Sequence, residues 1–167
     1  SEVIIPAMTY CSTAFAVFNA GLKPIFVDTE FLKPTIDLYD LKKKINRKTK
    51  VILPVHLYGS VADLTGIKKL IKKKKIFLID DCAQAHGSLD DSMIVKKKKK
   101  IGSTTDISCF SLYPGKNLGA YGDAGIITTN NKVLYDRMKK IRNFGSDKKF
   151  KHDYIGLNSR LDTIQAL

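Results

Sequence analysis

The stretch Cys109 to Gly125, CFSLYPGKNLGAYGDAG, decides how this chain is read. The apolar run Ile107 to Tyr113 predicts a strand that stops at Pro114-Gly115, and Ala124 to Thr129 predicts a second one. The glycine-rich loop between them is too short for a helical crossover, so the pair is expected to be antiparallel. The loop presents one lysine, Lys116. Taken alone, Lys116 reads as a solvated loop lysine, the ordinary state of that residue. Its surroundings say more. Ser111 lies five residues earlier and Asn117 follows directly, while Gly115, Gly119, Gly122 and Gly125 let backbone come close to a ligand. An amine held neutral in such a place has the chemistry to form a Schiff base with a carbonyl.

Upstream, strands and helices alternate. Val3 to Ile5 predicts a short strand, and Pro6 to Tyr10 leads into a helix from about Ser12 to Ala20, closed by Gly21. Pro24 to Val27 is the next strand. Asp37, with Asp40 three residues on, caps a lysine-rich helix, and Val51 to Val55 follows as a buried strand. A helix from about Asp63 to Lys73 leads to the apolar run Ile76 to Ile79, which ends in Asp80 and Asp81. Such alternation implies an α/β fold with a mixed, mostly parallel sheet and helices on both faces. Ligands of these sheets gather at the carboxyl ends of the strands, just beyond which Tyr10, His56, Asp81 and Lys116 are expected. Leu89 to Thr105 reads as a loop. Asn131 caps a helix to about Asn143, and Phe144 to Leu167 is a polar loop entering a further helix.

At 167 residues one domain is expected, and a hydrophobic fraction of 44% without a long apolar run suits a globular chain rather than a membrane span. The first residues lack a charged leader segment. Cys11, Cys82 and Cys109 are odd in number and widely spaced, so neither a disulfide framework nor a metal site is expected, and a reducing cytoplasm fits. The net charge of +13 comes mostly from Lys72 to Lys75 and Lys96 to Lys100. Few arginines and no interleaved aromatics accompany these runs, so they read as solvated lysine rather than as a nucleic-acid or membrane surface.

Asp81, followed by Cys82-Ala83-Gln84-Ala85-His86-Gly87, is the second anchor. A carboxylate at the mouth of a buried strand is costly unless it meets a cation or hydrogen-bond donors; alone it also reads as a cap of the following turn. With Lys116 it fits pyridoxal phosphate. That cofactor needs a lysine for covalent attachment, a carboxylate for its pyridine nitrogen, a flat residue against its ring, and hydroxyls and amides for its phosphate.

The strings EVIIPAMTYCSTAFAVFNAGLKPIFVD, LPVHLYG, IDDCAQAHGS, CFSLYPGKNLGAYGDAG and IGLNSRLDTIQA, in this order over nearly the whole chain, resemble the DegT/DnrJ/EryC1/StrS family of sugar-nucleotide aminotransferases, pyridoxal-phosphate enzymes of fold type I. The resemblance implies that Lys116 is the Schiff-base lysine and Asp81 the partner of the pyridine nitrogen. By the same resemblance Gln84 contacts the phenolic oxygen side, Ser111 the phosphate, and Tyr10 the ring face. Asn158 matches a position that reaches the phosphate of the neighbouring subunit's cofactor, implying a homodimer. For His86 a supporting role behind the site and plain core packing both stand; for His56 and Tyr58, loop packing and substrate contact both stand.

The implied reaction moves an amino group from a donor, usually glutamate, to a keto group on a nucleotide-linked sugar, for polysaccharide or glycosylated-metabolite synthesis. FGSDKKFKHDYIGLNSRLD and VHLYG are more similar to the 3-keto, dTDP-linked branch than to the 4-keto branch. Family members are roughly twice as long. The chain is therefore expected to be a partial cofactor-binding large domain, residues 1–167, without the N-terminal phosphate loop and the C-terminal small domain. A truncated or degenerate product without activity is the alternative, and a basic module binding nucleic acid or an anionic surface is a more distant one.

Overall fold

Every residue of the first strand, Glu2–Pro6 (β1), is buried, which requires cover on both faces of the sheet to which it belongs. In the computed structural model, which describes residues 1–90 and 99–166, that cover is a helix layer on each side. Alternation along β1 divides the core. Val3 and Ile5 pack with Val17 of the first helix, Cys11–Asn19 (α1), in one cluster. Ile4 points the other way, into a larger cluster with Leu41 of α2, Leu38–Lys44, and Leu64 and Ile67 of α3, Leu64–Ile71.

The remaining sheet strands are β2 (Lys23–Val27), β3 (Thr49–Ile52), β4 (Phe77–Asp81), β7 (Ile107–Ser111) and β8 (Gly125–Thr128); β5 (Leu89–Asp90) and β6 (Lys99–Lys100) form a separate antiparallel pair. The six-stranded sheet has the order β2-β1-β3-β4-β7-β8. All its pairings are parallel except β7 with β8, which is antiparallel as the short glycine loop requires. The mixed, mostly parallel α/β architecture is therefore the one expected. The last helix, α4 (Lys132–Ile141), is capped by Asn131, whose side chain accepts from Val133 and Leu134 N–H. Among the described residues, no helix is long and apolar enough to cross a membrane.

Local chemistry accounts for the boundaries. Asp37 accepts from Asp40 N–H and Asp63 from Gly66 N–H, fixing the starts of α2 and α3. Gly21 ends α1 at φ +68°, its N–H reaching Phe18 O while Leu22 N–H reaches Val17 O. That is a two-bond Schellman closure.

Four expectations change. β3 stops at Ile52 rather than Val55, because Leu53 N–H still reaches Ile4 O but Pro54 has no N–H to continue the ladder; pairing resumes at a bridge between Val55 and Asp81. β7 stops at Ser111 rather than Tyr113, since Tyr113 O is used to close the turn at Lys116. The segment read as a loop from Leu89 contains the β5–β6 pair, held where Ile101 is buried and its N–H meets Ser88 O; Lys96 to Lys98 lie outside the described residues. Beyond Phe144 the chain folds back on the end of α4 through an Asn143–Asn158 bridge, and a turn follows at 163–166.

A Cβ built on Gly21 meets nothing within 4 Å, so only its left-handed backbone resists substitution. Gly21→Ala is expected to lower stability by about 1 to 2 kcal/mol in urea unfolding. Unchanged stability would show that the closure of α1 carries no strain.

Candidate active site

β1, β3, β4 and β7 run side by side and parallel, so their carboxyl ends open on one edge of the sheet. β1 delivers Tyr10, which caps α1 through its extended backbone and is 75% exposed. β4 delivers Asp81 and then Gln84, and β7 delivers Ser111. Lys116 is set by a tight turn in which its own N–H meets Tyr113 O at 2.8 Å. The loop is drawn back by Ala120 N–H to Leu112 O and by Leu112 N–H to Ala124 O, each 2.8 Å. Tyr10, Asp81, Gln84, Ser111 and Lys116 border one cavity of about 620 Å³, together with His56 and Asp123. That volume is in the range of small-ligand sites.

Two glycines of the loop have a role in its own folding. A Cβ on Gly119 would lie 2.6 Å from Pro114 O, and one on Gly125 3.0 Å from Phe110 O. At these two positions the close approach is to the protein's own backbone, which folds the loop tightly enough to place Lys116.

The two adjacent aspartates both belong to β4, so their side chains leave opposite faces. Asp81 meets the cavity: its Oδ1 accepts from Ala83 N–H at 3.0 Å and its Oδ2 from Thr13 Oγ1 at 2.9 Å. Asp80 is wholly buried on the other side. Its Oδ1 accepts from Thr105 Oγ1 at 2.6 Å and its Oδ2 lies 3.2 Å from His56 Nε2. Burial pushes the Asp80 carboxyl up, but hydrogen bonds from His56, Ser108 and Thr105 outweigh it and hold the group below the usual carboxylate range.

His56 is fully buried and spoken for on both sides. Ala62 N–H donates to its Nδ1 at 3.1 Å, which leaves the ring proton on Nε2, facing Asp80. The ring therefore supports the floor of the site and offers the cavity no free polar atom. Tyr58, at φ +55°, sits in a conformation unusual for a tyrosine and is mostly exposed. Its N–H donates to Gln84 Oε1 at 2.8 Å. Tyr58, His86, Gln84 and Lys116 border a second cavity of about 510 Å³. The His86 ring packs on Phe110 at 5.4 Å, and its buried nitrogens find no hydrogen-bond partner among the described residues. Asn158 lies apart from both cavities, at the bridge to Asn143, where its Oδ1 accepts from Arg160 Nε.

His56, Asp80 and Cys82 bring potential metal-ligating atoms within 4.8 Å of one another. Their chemistry does not suit a metal. With Nδ1 accepting a backbone N–H, ligation through Nε2 would need an imidazolate. Burial first, and then the charges of Asp80 and Asp81, push the Cys82 thiol up, against the thiolate a metal takes. The same causes push Cys109 up to about 11.

Thr9, Thr13 and Asp123 were not singled out from the sequence. The signal for the threonines was their spacing, since residues four apart lie one turn above one another at the start of a helix.

The model of the DegT/DnrJ/EryC1/StrS aminotransferase family matches residues 1–167. The dTDP-3-amino-3,4,6-trideoxy-alpha-D-glucose transaminase of Streptomyces venezuelae is 39% identical over 165 residues, 99% of this chain and 42% of that protein. The UDP-N-acetyl-3-dehydro-alpha-D-glucosamine 3-aminotransferase of Acidithiobacillus ferrooxidans is 42% identical over 166 residues, 99% of this chain and 43% of that protein. Among solved structures, S. venezuelae DesV in complex with a ketimine intermediate is similar with a TM-score of 0.93 at 38% identity, over 99% of this chain and 43% of the other. The chain thus spans about two fifths of the length of the relatives it matches.

Because the Asp80 carboxyl is held down in the folded state, its stabilisation is complete above the ordinary value of 3.8 and is lost as pH falls through the folded value. Asp80→Asn is expected to cost about 1.5 to 3 kcal/mol at neutral pH in denaturant unfolding, a gap that narrows below about pH 4. A gap that stays constant down to the acid range would remove the carboxylate as its source.

Proposed function

The chain belongs to the DegT/DnrJ/EryC1/StrS aminotransferase family, and we propose that it is part of a pyridoxal-phosphate-dependent transaminase that passes an amino group from an amino acid, glutamate in our reading, to a keto group of a nucleotide-linked sugar. The observation that carries this reading is the convergence of Lys116, Asp81 and Ser111 on one cavity from the ends of two neighbouring parallel strands, β4 and β7.

The donor set suits the cofactor, group by group. Bound there, pyridoxal phosphate would supply an electron sink for the carbon that gains or loses the amino group. Asp81, fixed at both oxygens, would hold the protonated pyridine nitrogen. Ser111 Oγ accepts from Tyr113 N–H at 3.2 Å, which leaves its own proton to donate to a phosphate oxygen. Gln84 spends its carbonyl oxygen on Tyr58 N–H and so has its amide N–H groups for the phenolic oxygen. Tyr10 lies at the cavity with its ring largely uncovered, able to lie against a flat ring. Lys116 Nζ would attach the cofactor, and once freed would move the proton at the reacting carbon.

In the same reading residues 1–167 are part of a cofactor-binding domain, and a homodimer places Asn158 at the partner's site. The protein works in the cytoplasm, in polysaccharide or glycosylated-metabolite synthesis. We take the ketone to be at C3 of a dTDP-linked sugar. The two relatives above, whose names carry the nitrogen at C3, support the position, and the Streptomyces protein supports the nucleotide.

In the longest natural form of the protein, added pyridoxal phosphate is expected to give a visible absorption band that Lys116→Ala abolishes. An identical spectrum in the variant would overturn the role of that lysine. With glutamate as donor, a dTDP-3-keto-6-deoxyhexose is expected to be aminated at least about 100-fold faster than its 4-keto isomer. Moving the ketone by one ring position displaces it by more than the roughly 1 Å that costs that factor. Preference for the 4-keto sugar would refute the C3 position alone.

A further inference from the structure

Asp81 is held by a chain of hydroxyls that has only one possible direction. Thr13 Oγ1 lies 2.9 Å from Asp81 Oδ2 and 2.8 Å from Thr9 Oγ1. A threonine hydroxyl carries one proton, and an ionised carboxylate only accepts, so Thr13 gives its proton to Asp81 and must itself accept from Thr9. Thr13 is 4% exposed and is not among the residues that border the cavity, whereas Thr9 is. A helical threonine commonly spends its hydroxyl on the carbonyl four residues back. Here the partner four back is a second hydroxyl, and the proton goes across to β4, 68 residues away in sequence.

We propose that Thr13 is a positioning residue, which turns the Asp81 carboxylate toward the ring nitrogen of the bound cofactor and thereby sets cofactor affinity and ring orientation. The inference rests on the pyridoxal-phosphate reading above. The backbone of Asp81 is already fixed by its N–H to Pro54 O and by His56 N–H to its carbonyl. What remains free is rotation of the carboxylate. Ala83 N–H pins Oδ1, but a single donor leaves the group able to swing about that bond. Thr13 supplies the second point on Oδ2, and one lone pair on each oxygen is still open to a ligand N–H. Thr9, polarising Thr13 from behind, strengthens the donation. Hydrogen bonds to a charged group of this kind are worth about 10- to 100-fold in an equilibrium.

The test compares the wild type, Thr13→Val, Thr13→Ser and Lys116→Ala in the longest natural form of the protein. Three quantities are read: the dissociation constant for pyridoxal phosphate, the visible circular dichroism of the cofactor at saturation, and the melting temperature without cofactor. Thr13→Val is expected to weaken cofactor binding about 10- to 100-fold and to diminish the dichroic band, with the cofactor-free melting temperature little changed, while Thr13→Ser keeps both near wild type. Wild-type affinity and dichroism in Thr13→Val would overturn the proposal. So would equal losses in Thr13→Val and Thr13→Ser, or losses that track the melting temperature, because either means packing. If Thr13→Val does not fold, Thr13→Ala removes the same donor without placing a methyl group against Asp81, and wild-type affinity there is equally fatal. A visible band in wild type, lost in Lys116→Ala but unmoved in the Thr13 variants, sinks only this inference. No band in wild type sinks the cofactor reading and this inference together.

Discussion

The structure turns on a carboxylate taken completely out of water. Asp80 lies in the middle of the sheet with no exposed surface, and an uncompensated charge there would cost several kcal/mol. Its compensation comes from three places in the chain: His56 after β3, Thr105 before β7, and Ser108 within β7. Satisfying one group therefore draws together the loop after β3, the end of β4 and the start of β7. The Ala62 N–H on the far nitrogen of His56 extends this grip to the approach of α3.

The grip matters because the next residue works on the opposite face. With Asp80 locked, the β4 backbone at Asp81 cannot roll, and Asp81 presents its carboxylate where Lys116 and Ser111 arrive from β7. The glycine loop adds a second rigid part. Gly119 against Pro114 and Gly125 against Phe110 fold the segment on itself, and the turn that carries Lys116 is closed by its own N–H to Tyr113 O. Preorganisation of this kind is what a site needs when a cofactor must be held in one orientation.

Two helix layers complete the arrangement with unequal weight. α2 and α3 cover one face over the larger apolar cluster, and α1 covers the other through Val17. α1 has a double duty: below, it closes a core; at its N-terminal turn, Tyr10 borders the site and Thr13 holds Asp81 from behind it. A helix whose buried face ends in a threonine rather than an aliphatic residue gives up some apolar burial and gains a donor for a carboxylate.

Much of this was legible in the chain itself. Alternating apolar runs and capping residues Asp37 and Asn131 determined the order of strands and helices, because each acts within a few residues. The short glycine loop determined the antiparallel turn of the last strand pair, since no crossover fits in it. Tyr10, Asp81 and Lys116 stood out because each was expected just past a strand end, whereas Gln84 and Ser111 took their roles from the family resemblance. What local pattern could not carry was partnership. That Asp80 belongs to His56 and Thr105, and that Asp81 takes the proton of Thr13, depend on contacts between residues far apart in sequence. Only the packed sheet decides them, because a hydrogen bond is specified by distance and direction in space, and sequence spacing fixes those only within a single turn or strand.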